Sequence, residues 1–117
     1  DTVVVLDDVV FGKPLDRAEA VGMLTKLSGR THTVLTGVVV MRGSTVFKGV
    51  ESTEVTFVEL TRARIDWYVS RGESDDKAGA YAAQGVGSRL IECINGSYTN
   101  VVGLPMAMVD RFVRKFE

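Results

Sequence analysis

One cysteine and one histidine occur among 117 residues, and each scarcity closes off a class of chemistry. Cys93 has no partner for an internal disulfide, so covalent staples are excluded, and a lone thiol suits a reducing cytoplasm. With no histidine nearby to activate it, Cys93 reads as a small buried apolar residue. His32 alone cannot build a zinc cluster and reads as a structural or hydrogen-bonding residue at a strand start. No apolar run approaches the roughly 20 residues of a membrane span, and no signal peptide is visible. An excess of one charge is lacking too: 14 Lys and Arg against 15 Asp and Glu leave a net charge of −1. Neither nucleic acid nor a membrane is therefore an expected partner, and any phosphate binding must come from a few local cations and backbone N–H groups. Walker loop, Ser–His–Asp set, internal repeat and linker are all absent.

What is present is the composition of one soluble globular domain, residues 1–117, with 45% hydrophobic and 25% charged residues. Asp1–Leu6, with Val3 to Leu6 apolar in succession, reads as a strand buried on both faces that has Asp1 and Thr2 at its start. Asp7-Asp8 is a turn, and Val9–Phe11 a short strand. Asp16 is placed to cap a helix with Glu19 at the capping-box position. Ala18, Val21, Leu24 and Leu27 form its apolar stripe, and Gly29 closes it. Thr31–Val40 and Val46–Leu60 make a long hairpin about Met41–Thr45, with Gly43 at positive φ. Glu51 and Glu54 fall at solvated strand positions. Thr61 caps a second helix that turns Ile65, Tyr68 and Val69 inward and stops at Gly72, with Trp67 at the edge of that face. Val86–Ile94 reads as a strand, Asn95-Gly96 as a type I′ turn, and Ser97–Val102 as the returning strand. Pro105 opens a terminal helix whose stripe of Met106, Val109, Phe112, Val113 and Phe116 docks on the sheet.

The stretch Asp75–Gly87, DDKAGAYAAQGVG, stands out. Gly79, Gly85 and Gly87 imply demanding backbone angles or something pressed against the main chain. Gln84 has no bulky neighbour to hide its carboxamide, which carries the donors and acceptor needed to read a base edge. An ordinary connecting loop fits the same residues. Asp76 and Lys77, adjacent in sequence, are expected to pair with other groups and not with each other. Either could fix the loop or reach a ligand. Lys13, just ahead of a helix N-terminus, suits an anion such as triphosphate, or is a solvated surface residue.

Six groups of residues occur in a fixed order: Asp1-Thr2-Val3-Val4, Gly12-Lys13-Pro14, Leu27 to His32, Thr36-Gly37-Val38, Asp76 to Tyr81 with Gln84-Gly85, and Ile94 to Tyr98 running into Val102 to Pro105. Together they resemble the Maf family of nucleoside triphosphate pyrophosphatases, over nearly the whole chain. The resemblance implies an elongated, two-lobed α/β fold, with a mixed β-sheet and flanking helices, like that of inosine triphosphatase. It also implies hydrolysis of a nucleotide to its monophosphate and pyrophosphate. Asp1 is then the proton acceptor for the attacking water and a contact of a divalent cation, Mg²⁺ or Mn²⁺. Thr2 and Gln84 become substrate-selecting positions, and Lys13 a phosphate contact. The DKAGAY…QG wording resembles the branch acting on dTTP and UTP. Homodimers also occur in the family.

The family's usual N-terminal segment, with a Ser- and Arg-rich phosphate loop and a metal-binding glutamate, has no counterpart here. The chain is accordingly expected to be the C-terminal portion of a longer protein. Without those groups a non-catalytic nucleotide-binding module, regulatory in cell division, is the alternative to an active hydrolase.

Overall fold

A computed structural model describes residues 1–117. Its dominant feature is an antiparallel hairpin of β3 (Thr31–Arg42) and β4 (Thr45–Phe57), joined by the two-residue turn Gly43-Ser44. Gly43 takes φ +60°, as its place in the turn requires. Alternation along β3 sends His32, Val34, Thr36 and Val38 to one face. β1 (Thr2–Leu6) pairs with β3, and β2 (Val9–Phe11) with β1 through the Asp7-Asp8 turn, where both residues have positive φ. β5 (Ile91–Asn95) borders β4, giving the order β2-β1-β3-β4-β5.

The α/β class and elongated outline, 51 × 27 × 26 Å, match expectation. The pairing does not match in one respect, because every strand contact is antiparallel and none is mixed. β1 is likewise not buried on both faces. Val4 and Leu6 point into the core while Val3 and Val5 are half-buried, since helices cover only one side of the strand.

α1 (Arg17–Leu27) begins as read: the Asp16 carboxylate accepts from the Glu19 N–H at 2.8 Å. The inner face of α1 is Ala20, Leu24 and Leu27 with Val21 half-buried beside them, while Ala18, in the first turn, is exposed. α2 (Arg62–Ser70) is capped by Thr61 and buries Ile65, Tyr68 and Val69. These helices and β1, β3 and β4 enclose a core that includes Phe11, Val55, Phe57, Tyr81 and Leu90. At the far end of the hairpin, α4 (Met106–Arg114) lays Met108 and Phe112 over Gly49, and Phe47 stacks on Phe112. No residue of α4 is buried. No helix is long and apolar enough to cross a membrane.

Of two strands expected in the C-terminal third, one is shortened and the other is absent. Gly85–Leu90 is a 3₁₀ turn, leaving only Ile91–Asn95 in the sheet. The Glu73 carboxylate draws the backbone N–H groups of Val86 and Gly87, each at 3.0 Å, away from any strand pairing. Asn95-Gly96 makes no hairpin either. Ser97 donates its N–H to Thr53 Oγ1 and accepts from the Asn100 N–H, which starts the short helix α3 (Tyr98–Val102). Cys93 is exposed, since it lies on the side of edge strand β5 that nothing covers.

Candidate functional site

A cleft of about 300 Å³ opens where the start of β1, the loop before α1, the loop after α2 and the end of α3 meet. Its polar border comprises Asp1, Thr2, Lys13, Asp76 and Lys77; Val4, Val34, Tyr81 and Val101 contribute to its apolar wall. That size and mixture suit a small polar ligand with one apolar portion.

Each border residue is placed by its element. The Asp1 backbone is fixed to β3 through its amine on the Gly37 carbonyl at 3.1 Å and the Gly37 N–H on its own carbonyl at 2.9 Å. Its carboxylate enters no hydrogen bond or ion pair, and neither does the Lys13 ammonium. The Thr2 hydroxyl lies 2.9 Å from that of Thr36, its cross-strand partner. Asp76 and Lys77, expected to pair elsewhere, stand 3.7 Å from each other. The backbone directs both side chains to the same rim of the cleft, which adjacency in sequence does not reveal.

Three of the four candidate residues, Asp1, Thr2 and Lys13, thus share one cleft, and Gln84 does not line it. Gln84 is exposed, two residues past cleft-wall Ala82. Nor does the dipole of α1 converge on the cleft. The first turn of α1 is occupied by Asp16 and Glu19, and its approach, Pro14 to Arg17 with Asp75, lines a separate depression. The contribution of α3, Val101 and Val102 with Gly103, escapes a reading that makes this stretch a strand. Ser97 at an N-cap is the signal that could have revealed it.

Beneath the floor, His32 Nε2 meets the Tyr81 hydroxyl at 2.6 Å. Burial pushes the imidazole pKa down to about 4 and pushes the Tyr81 phenol up. His32 is therefore a neutral structural residue, as its isolation suggested. On the far side of the loop, Glu73 accepts from Tyr68 Oη and from the Val86 and Gly87 N–H groups. Partial burial alone would raise its pKa. The hydrogen bonds, with the Arg71 charge, outweigh that and hold it below the ordinary carboxylate value. Gly87 permits this closure, since a Cβ there would sit 1.9 Å from the Ala82 carbonyl oxygen.

Asp1 is the carboxylate on the cleft border that is free of an ion pair, and so the one available to a divalent cation. No group of three or more His, Cys, Asp or Glu side chains converges in this chain. Mg²⁺ is commonly held by one or two carboxylates plus substrate phosphates. The unpaired Asp1 carboxylate offers that arrangement.

A solvent-open cleft with one free carboxylate and lysines on its border is the kind of site that handles a phosphorylated small molecule. Residues 1–116 match the family described as Maf-like protein, and the chain belongs to that family. It is 52% identical over 116 residues to a dTTP/UTP pyrophosphatase of Symbiobacterium thermophilum, across 99% of this chain and 60% of that protein. It is 46% identical over 113 residues to the dTTP/UTP pyrophosphatase of Pyrococcus furiosus, across 97% of this chain and 60% of that one. With the dTTP/UTP pyrophosphatase of Bacillus cytotoxicus the identity is 47% over 117 residues, across 100% and 61%. The chain spans about 60% of the length of these relatives.

Proposed function

We propose that the protein is a nucleoside triphosphate pyrophosphatase acting on dTTP and UTP. Supporting this is one observation above all: Asp1, Thr2 and Lys13, distant in sequence, border a single cleft in a chain whose relatives bear that name. In this reading the Asp1 carboxylate orients a water molecule and takes its proton as the water oxygen attacks the α-phosphorus. The α–β anhydride bond breaks, pyrophosphate leaves and the nucleoside monophosphate remains. Lys13 steadies negative charge on the phosphate chain, and Thr2 contacts the substrate from the strand beside Asp1. Asp1 would also hold Mg²⁺ or Mn²⁺, which when bound supplies charge neutralisation at the phosphate oxygens. Gln84 meets the base where the substrate extends past Ala82. The single unpaired Cys93 fits a reducing compartment such as the cytoplasm.

The complete protein should release pyrophosphate from dTTP and UTP, and Asp1→Asn should lower kcat by about 10²- to 10⁴-fold. An Asp1→Asn protein with undiminished turnover would remove Asp1 from the reaction. Nucleotide-dependent thermal stabilisation of the wild type without any turnover would favour the non-catalytic module instead.

A further inference from the structure

Two lysine side chains, not one, border the cleft. We propose that Lys77 is a second polyphosphate-binding residue that acts beside Lys13. The inference rests on reading the cleft as a triphosphate site. A triphosphate brings several negative charges, and Lys13 and Lys77 are the only cationic side chains on the lining.

The backbone ties the two lysines into one unit. The Gly79 N–H donates to the Gly12 carbonyl at 3.1 Å, joining the loop after Lys77 to the residue before Lys13. Gly79 lies at φ +72°, pressed so closely on β1 that a Cβ would come within 2.8 Å of Val4 Cγ2. Ala80 follows at φ +68°, an unfavourable conformation for a residue with a side chain, and its N–H closes on the Lys77 carbonyl at 3.0 Å. Strained backbone, a cross-loop hydrogen bond and close packing all fix where Lys77 leaves the main chain.

Lys77 has one ion-pair partner, Asp76, at 3.7 Å, and their side chains are 46% and 76% exposed. Such a pair is weak in water and readily exchanged for a more highly charged anion. Asp76 thus holds the ammonium at the rim until phosphate displaces it. A loop-fixing ion pair with no ligand role makes the opposite prediction: removing Asp76 would bring no gain in anion affinity that depends on Lys77.

The test is calorimetric titration of the complete protein with inorganic tripolyphosphate in EDTA, which separates phosphate binding from base, metal and turnover. Lys77→Met should weaken binding about tenfold and Lys77→Arg should keep most of it. Lys48→Met, on the distal hairpin away from the cleft, should match wild type. Asp76→Asn should tighten binding, and the gain should vanish in Asp76→Asn/Lys77→Met, a coupling that loss of a negative charge alone would not produce. The proposal is overturned if Lys77→Met equals Lys48→Met, if the Asp76→Asn gain survives without Lys77, or if wild type binds no tripolyphosphate. Pyrophosphate release from UTP by the same wild-type sample reports separately on the hydrolase reading. Turnover with Lys77-independent binding sinks only the present inference, and Lys77-dependent binding without turnover sinks only the hydrolase.

Discussion

The Tyr81 hydroxyl lies 2.6 Å from His32 Nε2, and this buried contact joins the floor of the cleft to the start of β3. Phe57 completes the cluster, edge-on to both rings at 4.9 and 4.7 Å. The other imidazole nitrogen, Nδ1, is buried without a partner, so a protonated ring would carry an unsatisfied donor and an unscreened charge.

Stability should therefore fall on mild acidification. The folded-state pKa of His32 lies at about 4 against 6.5 for the free side chain. Between these values the unfolded chain binds a proton that the folded one refuses. The His32 contribution is thus complete above pH 6.5 and is lost as pH falls toward 4. Between pH 7 and pH 5 the loss should be about 2 kcal/mol. Urea unfolding at both pH values would measure it, with His32→Gln as the reference that lacks this slope. Equal losses in the two proteins would mean that the folded imidazole titrates normally.

Glu73 governs a different window. Its folded-state pKa is depressed, so its contribution is present above the ordinary carboxylate range and disappears only on further acidification. At neutral pH its importance is best read by substitution. Glu73→Ala leaves the Val86 and Gly87 N–H groups and the Tyr68 hydroxyl without their shared acceptor, at a cost of about 2–3 kcal/mol. Hydrogen exchange should show protection lost at Val86 and Gly87 before the hairpin amides. Uniform loss across β3 and β4 would instead indicate that the loop and sheet unfold together.

The contrast between these residues explains which parts of the molecule could be read in advance. Local signals carried the caps at Asp16 and Thr61, the Asp7-Asp8 and Gly43 turns and the β3–β4 hairpin, because each depends on neighbours within a few residues. Val86–Leu90 and Ser97–Val102 are apolar enough to be strands, and distant groups, Glu73 and Thr53, decide against it. For the cleft, ordered motifs gave Asp1, Thr2 and Lys13. The placing of Asp76 and Lys77 depends on a positive φ at Ala80, which its residue type does not signal, and on the packing of Gly79 against Val4, which is far from the two charges in sequence.

Gln84 provides the sharpest separation of roles within the proposed reaction. It is exposed, sits where the 3₁₀ turn Gly85–Leu90 begins, and its side chain makes no capping hydrogen bond. The fold therefore loses little when it is removed. Lys13, by contrast, borders the cleft itself. If Gln84 reads the base and Lys13 the phosphates, their variants should fail differently. Lys13→Met should depress kcat/KM for UTP and GTP by a similar factor, about tenfold or more, because both carry the same triphosphate. Gln84→Ala should spare the weaker substrate and lower the UTP-to-GTP ratio of kcat/KM by about tenfold, the scale of one lost hydrogen bond to a base edge. Competition assays with both nucleotides present would read the ratio directly. A Gln84→Ala protein with an unchanged ratio would leave base selection to residues inside the cleft, with Thr2 the first to test.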